Sequence, residues 1–221
     1  MELALLLSGN FSIEGILGAL IAVGIGMTVH EFAHNYVAHL MGDYVPAQQG
    51  RLTLNPLVHI NWVGWLMFAL IGFGILGSAP IAAHRMRNPR WGFLAAVAAG
   101  PVSNLLVAAV FGLIIRILPA SLIISGFSLN AFGYILTLIV YFNVLLFLFN
   151  LLPFFPLDGW HIVYALLPPD LARTWGSPQW RQYSQFAFFA LILLSFVGGS
   201  LNLFGRLISG PTNAITRILI G

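Results

Sequence analysis

The chain has 221 residues, of which 59% are hydrophobic and only 7% are charged, and its mean hydropathy is +0.94. This composition excludes an ordinary soluble domain and predicts a membrane protein. Cysteine is absent, so neither disulfides nor thiolate metal ligands are available. The net charge of +3 derives from arginine, since lysine is missing, and it bears on membrane topology; we expect no nucleic-acid partner.

Several apolar stretches approach the roughly 20 residues that a helix needs to cross the hydrocarbon core. We predict an all-α polytopic membrane protein that forms a single membrane-embedded domain over residues 1–221, with about four crossing helices. The predicted crossings are residues 11–41, 91–117, 129–152 and 184–208. Residues 50–56 alternate polar and apolar side chains up to a proline, which predicts a short strand or β-hairpin.

Residues 62–82 are apolar but rich in glycine and end near Pro80. This pattern favours a re-entrant segment that enters and leaves on one face, provided that protein covers its bent backbone. A normal crossing helix is the alternative, from length alone.

Arginines at the ends of the spans predict the orientation in the cell membrane, because cytoplasmic loops carry an excess of positive charge. The cytoplasmic group consists of Arg85, Arg87, Arg90, Arg173 and Arg181, and the opposite group consists of Arg116, Arg206 and Arg217. The span 91–117 then starts on the cytoplasmic side, and the span 129–152 returns to it.

Ionisable residues interrupt the first span in the pattern His30-Glu31-Phe32-Ala33-His34. Such groups are costly inside a bilayer and are functional candidates by default. His30 and His34 lie one helical turn apart on the same face, a spacing that suits two imidazole ligands of one zinc ion. Glu31 lies beside them as a candidate general base for an attacking water molecule. The pattern indicates a peptide-bond hydrolase with its site toward the cytoplasmic side.

A catalytic zinc site needs a third protein ligand and one open position. His39 lies five residues after His34 and is rotated off the shared face, so we interpret it as interfacial. Asp158 follows a proline-broken stretch at membrane depth and is the better candidate. Asp158 is also a candidate N-cap for a helix predicted from Gly159, a role compatible with ligation. His161 is a weaker rival ligand.

The motif Gly100-Pro101-Val102-Ser103-Asn104 lies inside the second long span, at a depth similar to that of the other two motifs. Gly-Pro predicts a kink that frees a backbone carbonyl. Asn104 is a candidate donor to a developing oxyanion. Helix packing, with the asparagine bonded to backbone, is an equally weighted interpretation.

The sequences HEFAH, GPVSN and NLLPFFPLDG, in this order on three apolar spans, resemble the site-2 protease family of intramembrane metalloproteases. GRLTLNPLVHI is similar to the small prokaryotic members that lack PDZ and CBS domains. The resemblance implies one zinc ion per chain, held by His30, His34 and Asp158. It further implies that Glu31 is the catalytic base and that Asn104 stabilises the transition state.

The resemblance also implies a transmembrane-helix protein as substrate, cleaved within or next to the bilayer in regulated intramembrane proteolysis. The strand region near residues 48–55, close to the active site, would pair with an unwound substrate segment. His59, a few residues further on, is equally a residue beside the site or a histidine of a surface loop.

Two other functions are compatible with the same polar residues. A membrane transporter or channel would use His30, Glu31, His34 and Asp158 as a proton or metal-ion relay. A catalytically silent scaffold would bind membrane helices without cutting them, but the intact HEFAH pattern argues against it.

Overall fold

The computed structural model describes residues 13–59, 61–62, 64–66, 79–125, 128–197 and 202–221. The helices are α1 Ile13–Leu40, α2 Val45–Gln48, α3 Pro56–His59, α4 Pro89–Ile117, α5 Ala120–Ile123, α6 Ala131–Asn150, α7 Asp158–Leu166, α8 Pro169–Trp175, α9 Pro178–Val197 and α10 Leu203–Ile220. A 3₁₀ turn, Ala83–Arg85, precedes α4, and strands β1 Ile124–Ser125 and β2 Ser128–Leu129 pair antiparallel. The fold is therefore mostly helical, as predicted.

Within the described residues, three helices are long and apolar enough to cross a membrane. They are Gly15–Leu40 of α1, Pro89–Ile117 and Ala131–Asn150, and they coincide with three of the predicted spans in position, length and composition. The predicted fourth crossing, 184–208, is not among them. The first turns of α9 are polar, with only about a dozen apolar residues after them, and α10 carries Arg206 near its start. Neither helix offers the roughly 20 apolar residues that a crossing requires.

The three membrane-length helices pack on one another and form the centre of the molecule. Small residues of α1 lie against large ones of α6, in a buried cluster of Ala19, Ala22, Val23, Leu138, Ile139, Tyr141 and Phe142. Alanine and glycine on one face let helix backbones approach closely, which is the usual basis of helix packing in a membrane. The close approach brings polar side chains of all three helices together.

Side-chain caps define where two of these helices begin. The Asn88 side chain accepts a hydrogen bond from the Trp91 amide at the start of α4, and Asn130 does the same for Gly133 at the start of α6. Pro101 lies inside α4, which continues through it to Ile117.

Residues 50–56 do not form the predicted strand, so that prediction is wrong. Asn55 donates its backbone N–H to Thr53 Oγ1, and the Asn55 side chain accepts the backbone N–H of Leu57, so these groups are satisfied locally. A strand needs a partner for its backbone groups, and none pairs with this segment among the described residues. Most of the predicted re-entrant segment, 62–82, lies outside the described residues.

Candidate metal centre

Two histidines and one carboxylate meet between α1 and the start of α7. Nε2 of His30 lies 2.9 Å from Nε2 of His34. Oδ2 of Asp158 lies 3.2 Å from the first nitrogen and 3.3 Å from the second. Both imidazoles are buried, and the carboxylate is half-buried. The structure thus confirms that the three residues predicted from the sequence come together.

The polarity of this triangle requires a positive charge at its centre. Nδ1 of His34 faces the Ala96 carbonyl at 2.8 Å, and Nδ1 of His30 faces the Asn104 side-chain oxygen at 2.7 Å. Both Nδ1 atoms therefore donate, and the neutral rings direct their Nε2 lone pairs at the Asp158 oxygen. Protons or a metal ion must occupy the space between them.

The size of the triangle fits zinc. A tetrahedral zinc ion with bonds of about 2.0–2.1 Å to nitrogen and oxygen has ligand atoms about 3.3 Å apart. The three observed separations are 2.9, 3.2 and 3.3 Å. Two histidines, one carboxylate and a remaining open position form the ligand set of a catalytic zinc site.

Gly100 on α4 lets the two imidazoles approach the helix backbone. A Cβ atom at this position would lie 2.3 Å from His34 Nε2 and 2.8 Å from His30 Cε1. Only glycine leaves the space that both rings occupy. Gly100 thus contributes to the site because it has no side chain, a role that was not predicted from the sequence.

Asp158 is held in place by contacts at both ends of α7. Next to it, a Cβ atom on Gly159 would lie 2.3 Å from the carbonyl oxygens of both Leu151 and Leu152, so the first turn packs directly on the backbone of the preceding loop. At the far end, Arg90 of α4 donates to carbonyls of the last turn, Ala165 among them at 2.8 Å.

Asp158 itself is the first residue of α7, and the N-cap is Leu157. The predicted N-cap role of Asp158 is therefore wrong, and its carboxylate is not used on the helix end. The carboxylate instead faces the two imidazoles, where it can act as a ligand.

Glu31 follows His30 on α1, and its side chain is only 3% exposed. Its Oε2 atom has no hydrogen-bond partner among the described residues. A buried carboxylate oxygen without a partner is costly to keep, which is typical of functional positions. The arrangement fits a base that receives a proton from a water molecule beside the triangle.

Asn104 does not have the free amide hydrogens that an oxyanion donor needs. Its Nδ2 donates to the Gly26 carbonyl at 3.0 Å and to Asn143 Oδ1 at 3.1 Å, and its Oδ1 accepts from His30. The geometry supports a role behind His30, and the interpretation as helix packing comes closer than the oxyanion role. Asn143 carries no sequence signal beyond being polar within an apolar span.

The remaining histidines lie outside the triangle. His39 is half-buried, with its ring against Tyr44, as expected for a residue away from the ligands. His59 is buried and donates to the Thr53 carbonyl, so it is not a surface-loop histidine. His161 lies one turn after Asp158 between aromatic rings. Burial chiefly, with a contribution from the charge of Arg181, lowers the pKa of His161.

A buried triangle of metal-ligand type and a buried glutamate, in a chain with three membrane-length helices, define a membrane protein with a candidate metal centre. Residues 119–195, which include Asp158, match the sequence model of peptidase family M50. One relative, "Putative zinc metalloprotease YwhC" of Bacillus subtilis (strain 168), is 37% identical over 149 residues, 66% of this chain and 68% of that protein. No solved structure matches the chain. The chain belongs to peptidase family M50 and is a protease.

Proposed function

We propose that this protein is a zinc-dependent intramembrane protease of the site-2 type, which hydrolyses peptide bonds within or next to transmembrane helices of other proteins. The observation that carries the proposal is the triangle of His30, His34 and Asp158, with side-chain lone pairs converging between membrane-length helices. The zinc metalloprotease name of the Bacillus subtilis relative supports the choice of metal. We propose one zinc ion per chain.

The chemistry of the four side chains determines the role that we propose for each. His30, His34 and Asp158 hold the metal, and bound zinc would polarise the scissile carbonyl and acidify the attacking water. Glu31 takes the proton from that water and later delivers it to the leaving amine. Its buried and unpartnered Oε2 has no competing hydrogen bond among the described residues to give up first.

We infer the substrate class from the position of the triangle among membrane-length helices. Peptide bonds that reach it come from a segment in the bilayer, where the backbone is helical because every polar group must be paired. Helical carbonyls are already hydrogen-bonded, so the substrate helix has to unwind before attack. Helix-breaking residues near the cleavage point should therefore speed the reaction, and the cut would release a soluble piece, as in regulated intramembrane proteolysis.

The distribution of arginine supports an active site toward the cytoplasmic side of the cell membrane. Arg90 binds the end of α7, and Arg181 lies over the ring of Phe155 in the loop before α7. Arg116, at the opposite end of α4, binds the end of α10 near Arg217. The end of α4 nearer to the triangle thus carries the larger arginine group, as the positive-inside rule predicts for the cytoplasm.

Reconstitution into liposomes with a model single-helix membrane substrate tests the proposal. We expect the wild-type protein to contain zinc and to cut the substrate at one position, as read by mass spectrometry. Glu31→Gln should keep the zinc and lose about 10²–10⁴-fold in activity, while His34→Ala should lose the metal. Asp170→Asn is the matched control, because that carboxylate is exposed and pairs with Arg173 at the surface, away from the triangle.

The same liposomes decide between protease and transporter. Zinc or proton flux without cleavage would contradict the proposal and favour an ion relay through the same side chains. Full cleavage activity in purified Glu31→Gln would remove Glu31 from the mechanism.

A further inference from the structure

Two fully buried asparagines form a row of side-chain amides behind His30, away from the triangle. Asn143 of α6 bonds to Asn104 of α4, and Asn104 bonds to His30 of α1. Each amide also donates to a backbone carbonyl: Asn143 to that of Ile139, and Asn104 to that of Gly26. It therefore connects all three membrane-length helices to one proposed metal ligand.

Backbone carbonyls fix the direction of every hydrogen bond in this row. A carbonyl only accepts, so the Asn143 atom that faces Ile139 at 2.9 Å is Nδ2, and its Oδ1 faces Asn104. In the same way the Asn104 atom that faces Gly26 at 3.0 Å is Nδ2. The Asn104 oxygen is then the atom that faces His30 Nδ1, and it cannot donate.

The direction of these hydrogen bonds determines which ring nitrogen of His30 is free to bind a metal. Because His30 has to donate from Nδ1, its neutral form keeps the Nε2 lone pair for the triangle. An Asn104 amide turned over would present N–H groups to His30, and the ring would then carry its proton on Nε2, where it blocks ligation. Asn104 Nδ2 donates to the Gly26 carbonyl and to Asn143 Oδ1, and the loss of these two hydrogen bonds opposes that rotation.

We propose that Asn143 is a positioning residue for zinc: through Asn104 it holds His30 in the tautomer that can bind the metal. The proposal rests on the zinc site proposed above. Partners that orient a ligating histidine typically contribute 10–100-fold to metal affinity.

The packing around the row shows that it is built for these amides. A Cβ atom on Gly26 would lie 2.8 Å from Asn143 Oδ1 and 3.3 Å from Asn104 Nδ2, so only glycine admits both side chains. A polar residue that merely joins two helices would not need a third helix to make room for it. The space is instead shared by α1, which carries the histidine.

Zinc affinity, measured by competition with a chelator in detergent, tests the proposal. We expect Asn143→Leu to weaken zinc binding about 10-fold, because Asn104 loses one of the two acceptors that hold it. Thr137→Val is the matched control: it also removes a side-chain bond to a carbonyl four residues back on α6, from Thr137 to Gly133, but lies outside the row. It should leave zinc affinity unchanged.

A double-mutant cycle separates positioning from packing. If Asn143 acts through Asn104, Asn143→Leu should cost little further zinc affinity in an Asn104→Leu background, whereas independent packing effects would add. Asn143→Ser serves as a second variant if the leucine variant does not fold, since its short hydroxyl cannot reach Asn104. Histidine ¹⁵N NMR of the zinc-free wild type should show His30 protonated on Nδ1.

Three results would overturn the proposal: wild-type zinc affinity in folded Asn143→Leu or Asn143→Ser, additive losses in the cycle, or His30 protonated on Nε2 but not on Nδ1 in the zinc-free wild type. A wild-type protein that binds no zinc would instead contradict the proposed function itself. The two failures are therefore distinguishable in one set of titrations.

Discussion

Gly100 and His34 are packed so closely that no side chain fits between them. A Cβ atom on Gly100 would lie 2.3 Å from Nε2 of His34, well inside van der Waals contact. The atom that it would displace is one of the three that form the triangle. Backbone of α4 thus forms one wall of the proposed zinc site.

We expect Gly100→Ala to weaken zinc binding by about 10–100-fold, since the imidazole has to move away from its proposed partners. Chelator competition measures the effect. Gly24→Ala, on α1, is the control, because within the described part of the chain a Cβ there meets only Trp65, at an ordinary 3.5 Å. Equal zinc affinity in the two variants would show that the wall is not needed.

The starts of two of the three spans, α4 and α6, could be predicted from the sequence because local signals mark them. Asn88 and Pro89 start α4, and Asn130 starts α6, each at the edge of an apolar run. The meeting of Asp158 with the histidines was also predictable, since ionisable groups inside apolar spans have few alternatives to pairing with one another.

Other parts of the site depend on helix rotation, which the sequence does not encode locally. Asn143 bonds to Asn104 only because packing turns both toward Gly26. The strand predicted at residues 50–56 is wrong for a related reason. Alternating polar and apolar side chains are a property of the segment alone, whereas a strand also requires a partner strand, which the described part of the chain does not supply.

Arg90 fixes the end of α7 opposite Asp158, so its removal should reach the proposed zinc site. Its guanidinium donates to Ala165, Leu166 and Leu167 at 2.8, 3.1 and 3.2 Å, capping a helix of nine residues. We expect Arg90→Ala to destabilise this end by about 1 kcal/mol and to lower zinc affinity several-fold. Hydrogen exchange over α7 and zinc titration measure the two effects.

Arg87→Ala is the matched control, because Arg87 is exposed just before α4 and its hydrogen bond to the Met41 carbonyl is made by the backbone N–H. Faster exchange over α7 in this variant as well would attribute the effect to loop charge and not to the cap.

His161 should make the protein less stable in acid. Burial chiefly lowers its pKa in the folded state, and Arg181 adds to this, whereas Asp158 opposes it. The unfolded chain then binds a proton that the folded chain resists, so stability is lost as the pH falls below about 6.5, the ordinary pKa of histidine. His161→Phe, which retains a ring beside Phe93, should show a smaller drop in melting temperature between pH 7.5 and 5.5.

His84→Phe, at an exposed position, should leave the drop at its wild-type size. The same acid sensitivity in His161→Phe as in the wild type would assign the effect to other groups.

Metal removal should destabilise the fold as well as stop cleavage, because the proposed ligands come from two separate parts of the chain. His30 and His34 belong to α1, and Asp158 belongs to α7, so a shared ion ties α7 to the bundle. A ligand that binds only the folded state adds about 2.7 kcal/mol when present at 100 times its dissociation constant. We expect chelation to lower the melting temperature and added zinc to restore it. Asp158→Asn should have the melting temperature of the metal-free protein, and added zinc should not raise it. Asp170→Asn should behave like the wild type. If zinc still raises the melting temperature of Asp158→Asn, the third ligand is another residue.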